Sequence, residues 1–397
     1  MKRLISVMLA LALLLTACAQ GNADDLMQNV PAKAVDVLPD MDTGAAAAAD
    51  FGARLFQASV EEGKNTLISP LSVLYSLAMT ANGADGNTVA QMEQVLGMET
   101  EALNSFMRAY LDLLPESKVY KLSLANSIWF KDDPRFQVEQ SFLQTNADYY
   151  GADAYKAAFD EATRNDINNW VKEHTDGMIP EILDEIPEDA VMYLVNALAF
   201  DAEWQEIYEA HQVWEGEFCL EDGTPRTVDL MHSEENRYLE DELATGFIKY
   251  YKDKQYAFAA LLPNEGVTVQ EYVASLTGEH LMKLLSNPEK VTVFATMPKF
   301  ETEYSVEMSE ALMEMGMTDA FDYRISDFSR LGTYDADGLN ICINRVLHKT
   351  FISVSEKGTR AGAATAVEMV AEGELLIEDY KTVTLDRPFV YMLIDCE

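Results

Sequence analysis

The apolar positions change their spacing along the chain. In the first half they recur mostly at helical intervals. Ala49, Phe51, Leu55, Phe56, Ser59 and Val60 predict a helix from residue 45 that ends at Gly63. Ser69 before Pro70 predicts a capped helix start, because the hydroxyl accepts a free first-turn amide and proline suits that turn; the apolar run behind it extends to residue 80. Further helices are predicted over 87–96, 101–114, 140–149 and 162–174, the last with Ile167, Trp170 and Val171 facing inward. Residues 122–130 read as a mostly buried strand. The run 191–200 is apolar except for Asn196, which suits a central strand covered on both faces. Strands follow within 217–240, 246–262, 291–300, 344–354 and 382–395, with helices over 269–286 and 306–315. Helices dominate early and strands late, without β-α-β alternation or internal repeat. This predicts an α+β fold around large sheets.

One stretch fits two environments. Residues 356–372 read EKGTRAGAATAVEMVAE. Gly358, Thr359, Arg360, Ala361, Gly362, Ala363, Ala364 and Thr365 are nearly all small, which suits a hinge. Read with period 2, one face is Thr359, Ala361, Ala363, Thr365, Val367, Met369 and Ala371, without charge. Arg360, Glu368 and Glu372 all lie on the other. That alternation is the mark of a strand with one buried face, so the segment is built both for exposure and for a place inside a sheet.

Length and charge narrow the possibilities. The chain has 397 residues, 48% of them apolar, enough for a large core in one big domain or two. Its 29 basic and 67 acidic residues give a net charge of −38, spread without long acidic blocks. Such a surface keeps the protein soluble and repels polyanions, so nucleic acid is not an expected partner. Lys2 and Arg3 precede an apolar run, 5–15, that is too short to span a bilayer. It ends in Leu15-Thr16-Ala17-Cys18, which resembles the bacterial lipobox. The match implies a signal peptide over 1–17, lipidation of Cys18, a polar tether over 18–45 and a folded body over 46–397, exported and anchored to the cell envelope by acyl chains. Cys219, Cys342 and Cys396 are too few and too far apart for a disulfide framework and hold no metal-ligand pair. They read as free, buried thiols.

The chain holds no G-x-S-x-G, H-E-x-x-H or P-loop motif. His174, His211, His232, His280 and His348 are dispersed. Residues 333–344 faintly suggest a calcium loop through Asp335, Asp337 and Gly338, but Thr333 and Asn344 stand where its key carboxylates belong. No metal, cofactor or enzymatic activity is expected.

Several motifs together resemble the serpin family over nearly the whole body. Asn65, Ser69, Pro70 and Ser72 match N-x-x-x-S-P-x-S. Leu-Ala-Asn-Ser-Ile-Trp-Phe stands at 124–130. Ile167 to Val171 is followed by Thr175, Gly177 and Ile179, and Leu-Val-Asn-Ala-Leu-x-Phe at 194–200 is followed by Trp204. Met-Pro-Lys-Phe at 297–300, the hinge at 356–365 and Arg387-Pro388-Phe389 close the set. The resemblance implies three β-sheets with about nine helices and an exposed reactive loop. It implies a monomeric suicide-substrate inhibitor of serine proteases, with cysteine proteases as further targets, that traps the acyl-enzyme by inserting its cut loop into the largest sheet. A serpin whose loop does not insert, acting as a binding or structural surface lipoprotein, is the alternative.

Residue roles follow from the same resemblance. Glu356 and the residues 358–365 form the hinge, where Thr359 must be buried first. Arg360 and Gly362 depart from the usual acid and alanine; both lie on the outward face, so modest slowing is implied. Counting from Glu356 places the cleaved bond at Glu372–Gly373, with Met369–Val370, Ala371–Glu372 and Leu375–Leu376 as alternatives. Ser69, Ser72, Asn196 and His348 match a polar cluster, the shutter, beneath the point where the sheet opens. Lys299 and Glu356 match an ion pair at the sheet top, the breach, beside Trp204. Without the resemblance, His348 reads as a hydrogen-bonded strand histidine and Asn196 as an ordinary buried amide.

Overall fold

The apolar run around Asn196 forms the middle of the molecule. The computed structural model describes residues 23–114, 120–187, 190–252, 254–335, 338–359 and 379–396. Its largest sheet contains β1 (Asp24–Asp25), β2 (Tyr120–Lys131), β3 (Asp153–Ala157), β4 (Met192–Glu203), β5 (Phe300–Glu307), β6 (Arg345–Ser355) and β7 (Gly358–Thr359). The strand order is β1-β3-β2-β4-β7-β6-β5. β4 runs antiparallel to β2 and parallel to β6, with Tyr193 opposite Arg345 and Leu198 opposite Thr350. Beyond Leu198 the two central strands part, and β7 lies between them, antiparallel to both. A parallel pair joined through a gap at one end is the feature that positions everything below.

Both faces of β4 are covered, as its composition predicts. Tyr193, Val195, Ala197 and Ala199 pack with Ile167, Trp170 and Val171 of a helix, Glu161–His174. On the opposite face, Met192 and Leu194 join the main helical core and Phe200 and Ala202 join a second sheet. That sheet orders Val390–Asp395, Tyr256–Pro263, Ala244–Tyr250 and Tyr238–Glu240. A third orders Tyr380–Thr384, Thr292–Pro298, Pro225–Glu235 and Val213–Cys219. A two-stranded ribbon, Phe136–Val138 with Gly332–Tyr334, adds to the three expected sheets, and the rejected calcium loop begins inside it at Thr333. Nine α-helices occur among the described residues.

The structure corrects several expectations. The first long helix is Met41–Ser59, four residues earlier than predicted, because the Asp40 carboxylate accepts the Thr43 amide and caps it. The helix expected over 269–286 is two, Val269–Ser275 and Gly278–Ser286. Thr277 caps the second, and Gly278 lies so close to the first long helix that a Cβ would sit 2.3 Å from the Asp50 amide nitrogen. Residues 300–307 form a strand that the Met-rich pattern concealed, leaving only Ser309–Glu314 helical. Cys219 and Cys396 are exposed and only Cys342 is buried, contrary to the expectation for all three.

The described part of the supposed tether is docked on the body. β1 pairs with the edge strand β3, the Leu26 amide donates to the Ala154 carbonyl at 2.9 Å, and the Lys33 amide donates to Asp148 at 2.7 Å. Val30 is buried in the main core. Leu26 and Met27 pack against the same core, so a segment without apolar period is held by backbone bonds and these three side chains.

Candidate functional site

The site is built where β6 turns back on itself. Glu356 and Lys357 form the turn, and Ser355 pairs with Gly358 and Val354 with Thr359. Gly358 is required by close approach: a Cβ there would lie 2.0 Å from the Ala202 carbonyl oxygen. Thr359 is 1% exposed, and its hydroxyl meets the Tyr251 hydroxyl at 2.5 Å. Burial pushes the Tyr251 phenol far up, so it remains a neutral partner. The first two hinge residues are thus already a strand inside the gap.

Aromatic and charged groups hold that turn. The Trp204 indole donates to the Ser355 carbonyl at 2.9 Å and stacks on Tyr251 at 4.4 Å between ring centres. The Trp204 and Tyr208 amides donate to the Lys357 and Glu356 carbonyls. Lys299 Nζ lies 2.8 Å from Glu356 Oε1, the predicted pair, and its hydrogen bond holds the Glu356 carboxyl below its usual range. Both partners are partly exposed, so the pair contributes little. Beneath it Lys249 is buried, 2.8 Å from Glu235, with its ammonium 4.4 Å from the Tyr208 ring centre. Tyr251, Tyr208, Lys249 and Glu235 were not singled out from sequence. The available signal was one lysine inside the apolar run Phe247-Ile248-Lys249-Tyr250-Tyr251.

The shutter residues meet as the resemblance implied. The Ser69 amide donates to His348 Nε2 at 2.9 Å, and His348 Nδ1 lies 2.6 Å from Asn196 Oδ1. Ser72 donates to the same amide oxygen at 3.2 Å. With Nε2 an acceptor, the imidazole proton sits on Nδ1 and is donated to Asn196. Burial pushes His348 down to about 3. Ser76 extends the pattern by donating to Asn126 on β2 at 2.8 Å. One helix, Pro70–Ala81 with its cap Ser69, therefore bonds to β6, β4 and β2 through successive polar residues. Ser76 and Asn126 were missed because only the tertiary crossing brings them together.

The remaining predicted residues, Arg360, Ala361, Gly362, Ala363, Ala364, Thr365, Glu372 and Gly373, lie outside the described residues, as does Cys18. Among the described residues, no cluster of histidine, cysteine and carboxylate side chains could hold a metal.

Three β-sheets with nine α-helices among the described residues, the largest sheet holding a short strand between two parallel ones at one end, define an α+β class of fold. The family model described as "Serpin (serine protease inhibitor)" matches residues 46–397. The chain belongs to the serpin family. Serpin B10 of Sorex araneus is 29% identical over 383 residues, covering 87% of this chain and 93% of its own. The thermophilic serpin tengpin in its native state is 47% identical, covers 94% of this chain and 96% of its own, and superimposes with a TM-score of 0.90. Tengpin in its latent state, at 44% identity over 92% of this chain and 95% of its own, gives 0.77. The conformation described here is thus nearer the native form. Human thyroxine-binding globulin shares the fold at 22% identity and a TM-score of 0.78, over 89% of this chain and 95% of its own.

Proposed function

We propose that this serpin is a suicide-substrate inhibitor of serine proteases, and by the same acyl chemistry of cysteine proteases, rather than an enzyme. The observation that carries the reading is the register of β7. Thr359 lies opposite Ala202 on β4 and Val354 on β6. Continuing that register puts Ala361 between Phe200 and Ile352, Thr365 between Asn196 and His348, and Met369 opposite Met192, where β4 begins. The uncharged face then continues the buried face of Thr359. Glu372–Gly373 falls three residues past the end of the sheet.

A protease that attacks this bond forms an acyl-enzyme and frees the loop at that end. The freed loop gains two ladders of hydrogen bonds and buries its uncharged face, which drives insertion. The protease is carried along, its active site is distorted, and deacylation stalls. A glutamate before the bond selects a protease with a basic or tolerant specificity pocket. The inhibitor acts as a monomer.

The lipobox match supports acyl chains on Cys18 and a location at the cell envelope. Asp24 already pairs with β3, so the anchor reaches no further than roughly 20 Å from the sheet edge, at about 3.5 Å per residue. Asp24 is level with Met192, ten residues along β4 from Ala202. The proposed anchor would then enter at the end of β4 opposite to the hinge residue Thr359.

Cleavage tests the reading. Limited cleavage by a candidate target is expected to release a single C-terminal peptide with the mass of residues 373–397, and the cut protein is expected to melt well above the intact one. A cut elsewhere in the loop with the same thermal gain moves the site. A cut without thermal gain sinks the inhibitor reading in favour of a non-inserting serpin.

A further inference from the structure

Lys249 is 2% exposed, and no other lysine or arginine among the described residues is buried. It lies where three parts of the fold meet. Its strand, Ala244–Tyr250, belongs to the second sheet, and its partner Glu235 ends the Pro225–Glu235 strand of the third. The ammonium is 2.8 Å from Glu235 Oε1, and that oxygen also accepts the Ser233 hydroxyl at 2.7 Å. Ser233 Oγ is 3.2 Å from the Tyr208 hydroxyl. With Ser233 donating to Glu235, the phenol donates to Ser233. The same ammonium stands over two rings, 4.4 Å from the centre of Tyr208 and 5.5 Å from that of Trp204. Both rings belong to the segment that follows β4.

That segment grips the turn ahead of β7. The Trp204 amide donates to the Lys357 carbonyl at 2.9 Å, and the Tyr208 amide donates to the Glu356 carbonyl at 2.8 Å. The Trp204 indole donates to the Ser355 carbonyl at 2.9 Å. A buried ion pair adds little net stability, because desolvation offsets the attraction; its contribution is a fixed geometry. Here the fixed geometry is that of Trp204 and Tyr208. The Lys299–Glu356 pair holds the same turn from outside, but both its partners are partly exposed.

We propose that the Lys249–Glu235 pair is a positioning device for the hinge: from beneath, it orients Trp204 and Tyr208, and through them it keeps Gly358 and Thr359 seated between β4 and β6. Its consequence for trapping rests on the inhibitor reading above, whereas its hold on the turn does not. A seated hinge begins insertion at once. A hinge that has left the gap must first return, and deacylation gains that time.

The test uses the full mature chain carrying Lys249→Met together with Glu235→Gln. The pair of substitutions keeps the side-chain lengths and an acceptor for Ser233 while removing both charges, so the melting temperature of the intact protein is expected to stay within a few degrees. Amide hydrogen exchange at Trp204 and Tyr208 is expected to rise about tenfold, the order of one desolvated cation–π contact. The Ser69 amide, held by His348 away from this site, is expected to exchange at its starting rate. The number of inhibitor molecules consumed per protease trapped is expected to rise by about two- to fivefold, a fraction of that loosening. Lys249→Met alone, which leaves Glu235 buried without its cation, is expected to lower the melting temperature as well. Unchanged exchange at Trp204 and Tyr208 in the double variant would overturn the proposal. So would an equal rise at Ser69, which marks a general loss of stability. Faster exchange with an unchanged ratio would overturn the link to trapping. If the unaltered protein traps no protease, the inhibitor reading falls, and the exchange rates alone decide whether the pair holds the turn.

Discussion

Thr359→Arg is expected to convert the protein from an inhibitor into a substrate. Thr359 is 1% exposed between β4 and β6, with its hydroxyl on Tyr251. An arginine there must either enter a space lined by Ala202, Val354 and Tyr251 or stay outside and hold the loop out with it. Burying an unpaired guanidinium costs several kcal/mol, and every 1.4 kcal/mol of added barrier slows insertion about tenfold. Deacylation is unaffected, so it wins the race. Kinetic titration should show trapping efficiency falling by about a hundredfold or more, with ordinary cleavage of the loop persisting. The intact protein should also lose about 2–4 kcal/mol, because β7 is displaced from its two neighbours and the buried Tyr251 hydroxyl loses its partner. Thr359→Ser, which keeps the hydroxyl, should trap nearly as well as threonine. Equal trapping by the arginine variant would mean that this strand position is not an obligatory first step.

His348 should make the native sheet sensitive to acid. Its pKa is pushed from 6.5 down to about 3 by burial, and Nε2 is an acceptor for the Ser69 amide. A protonated imidazole would lose that bond and bring a charge to a site where its partners are Asn196 and a backbone amide. The neutral form is favoured in the folded state, so its full contribution is present above pH 6.5. It is lost progressively as pH falls from 6.5 toward 3. At about 1.4 kcal/mol per pKa unit, the loss approaches about 5 kcal/mol at the acid end. The melting temperature of the unaltered protein should therefore fall between pH 6.5 and 4 more steeply than that of His348→Gln. At pH 7.5 the glutamine variant should be less stable by about 1–3 kcal/mol, because the Ser69 amide and the Asn196 carbonyl lose their partner. Parallel pH profiles for the two proteins would remove His348 as the origin of the sensitivity.

The same contact links the shutter to insertion. On the proposed insertion, a strand entering between β4 and β6 would separate Asn196 from His348, and continuing the β7 register would bring residue 365 between them. Asn196 Nδ2 is buried without a partner among the described residues. A hydroxyl can both accept from that amide and replace the acceptor His348 loses. The native cluster thus leaves one donor unsatisfied that the proposed inserted form would satisfy.

What the sequence made legible was what its local periods encode. The apolar run with one asparagine gave the central strand and Ser69-Pro70 gave the helix start, whereas of the hinge alternation only Thr359 lies among the described residues, in β7. The shutter and the Lys299–Glu356 pair came through the family resemblance rather than from spacing. What stayed hidden depends on approach between distant segments. Val30 and the β1 backbone are held by partners more than a hundred residues away. Lys249 and Glu235 are paired only because adjacent sheets stack under Trp204. The break at Leu276 follows from Gly278 pressing on a helix near the start of the body. The 300–307 strand alternates cleanly, but a methionine-rich stretch beginning at its end obscured its boundary.

The central claim is that a protease cutting the loop is captured by insertion. The most direct measurement incubates the mature protein with serine and cysteine proteases of differing primary specificity and resolves the products under denaturing conditions. The account predicts a denaturant-stable band at the summed mass of the protease and residues 18–372 for at least one protease whose pocket accepts glutamate. Clean cleavage by every protease tested, with no such band and no rise in melting temperature of the cut protein, would contradict it.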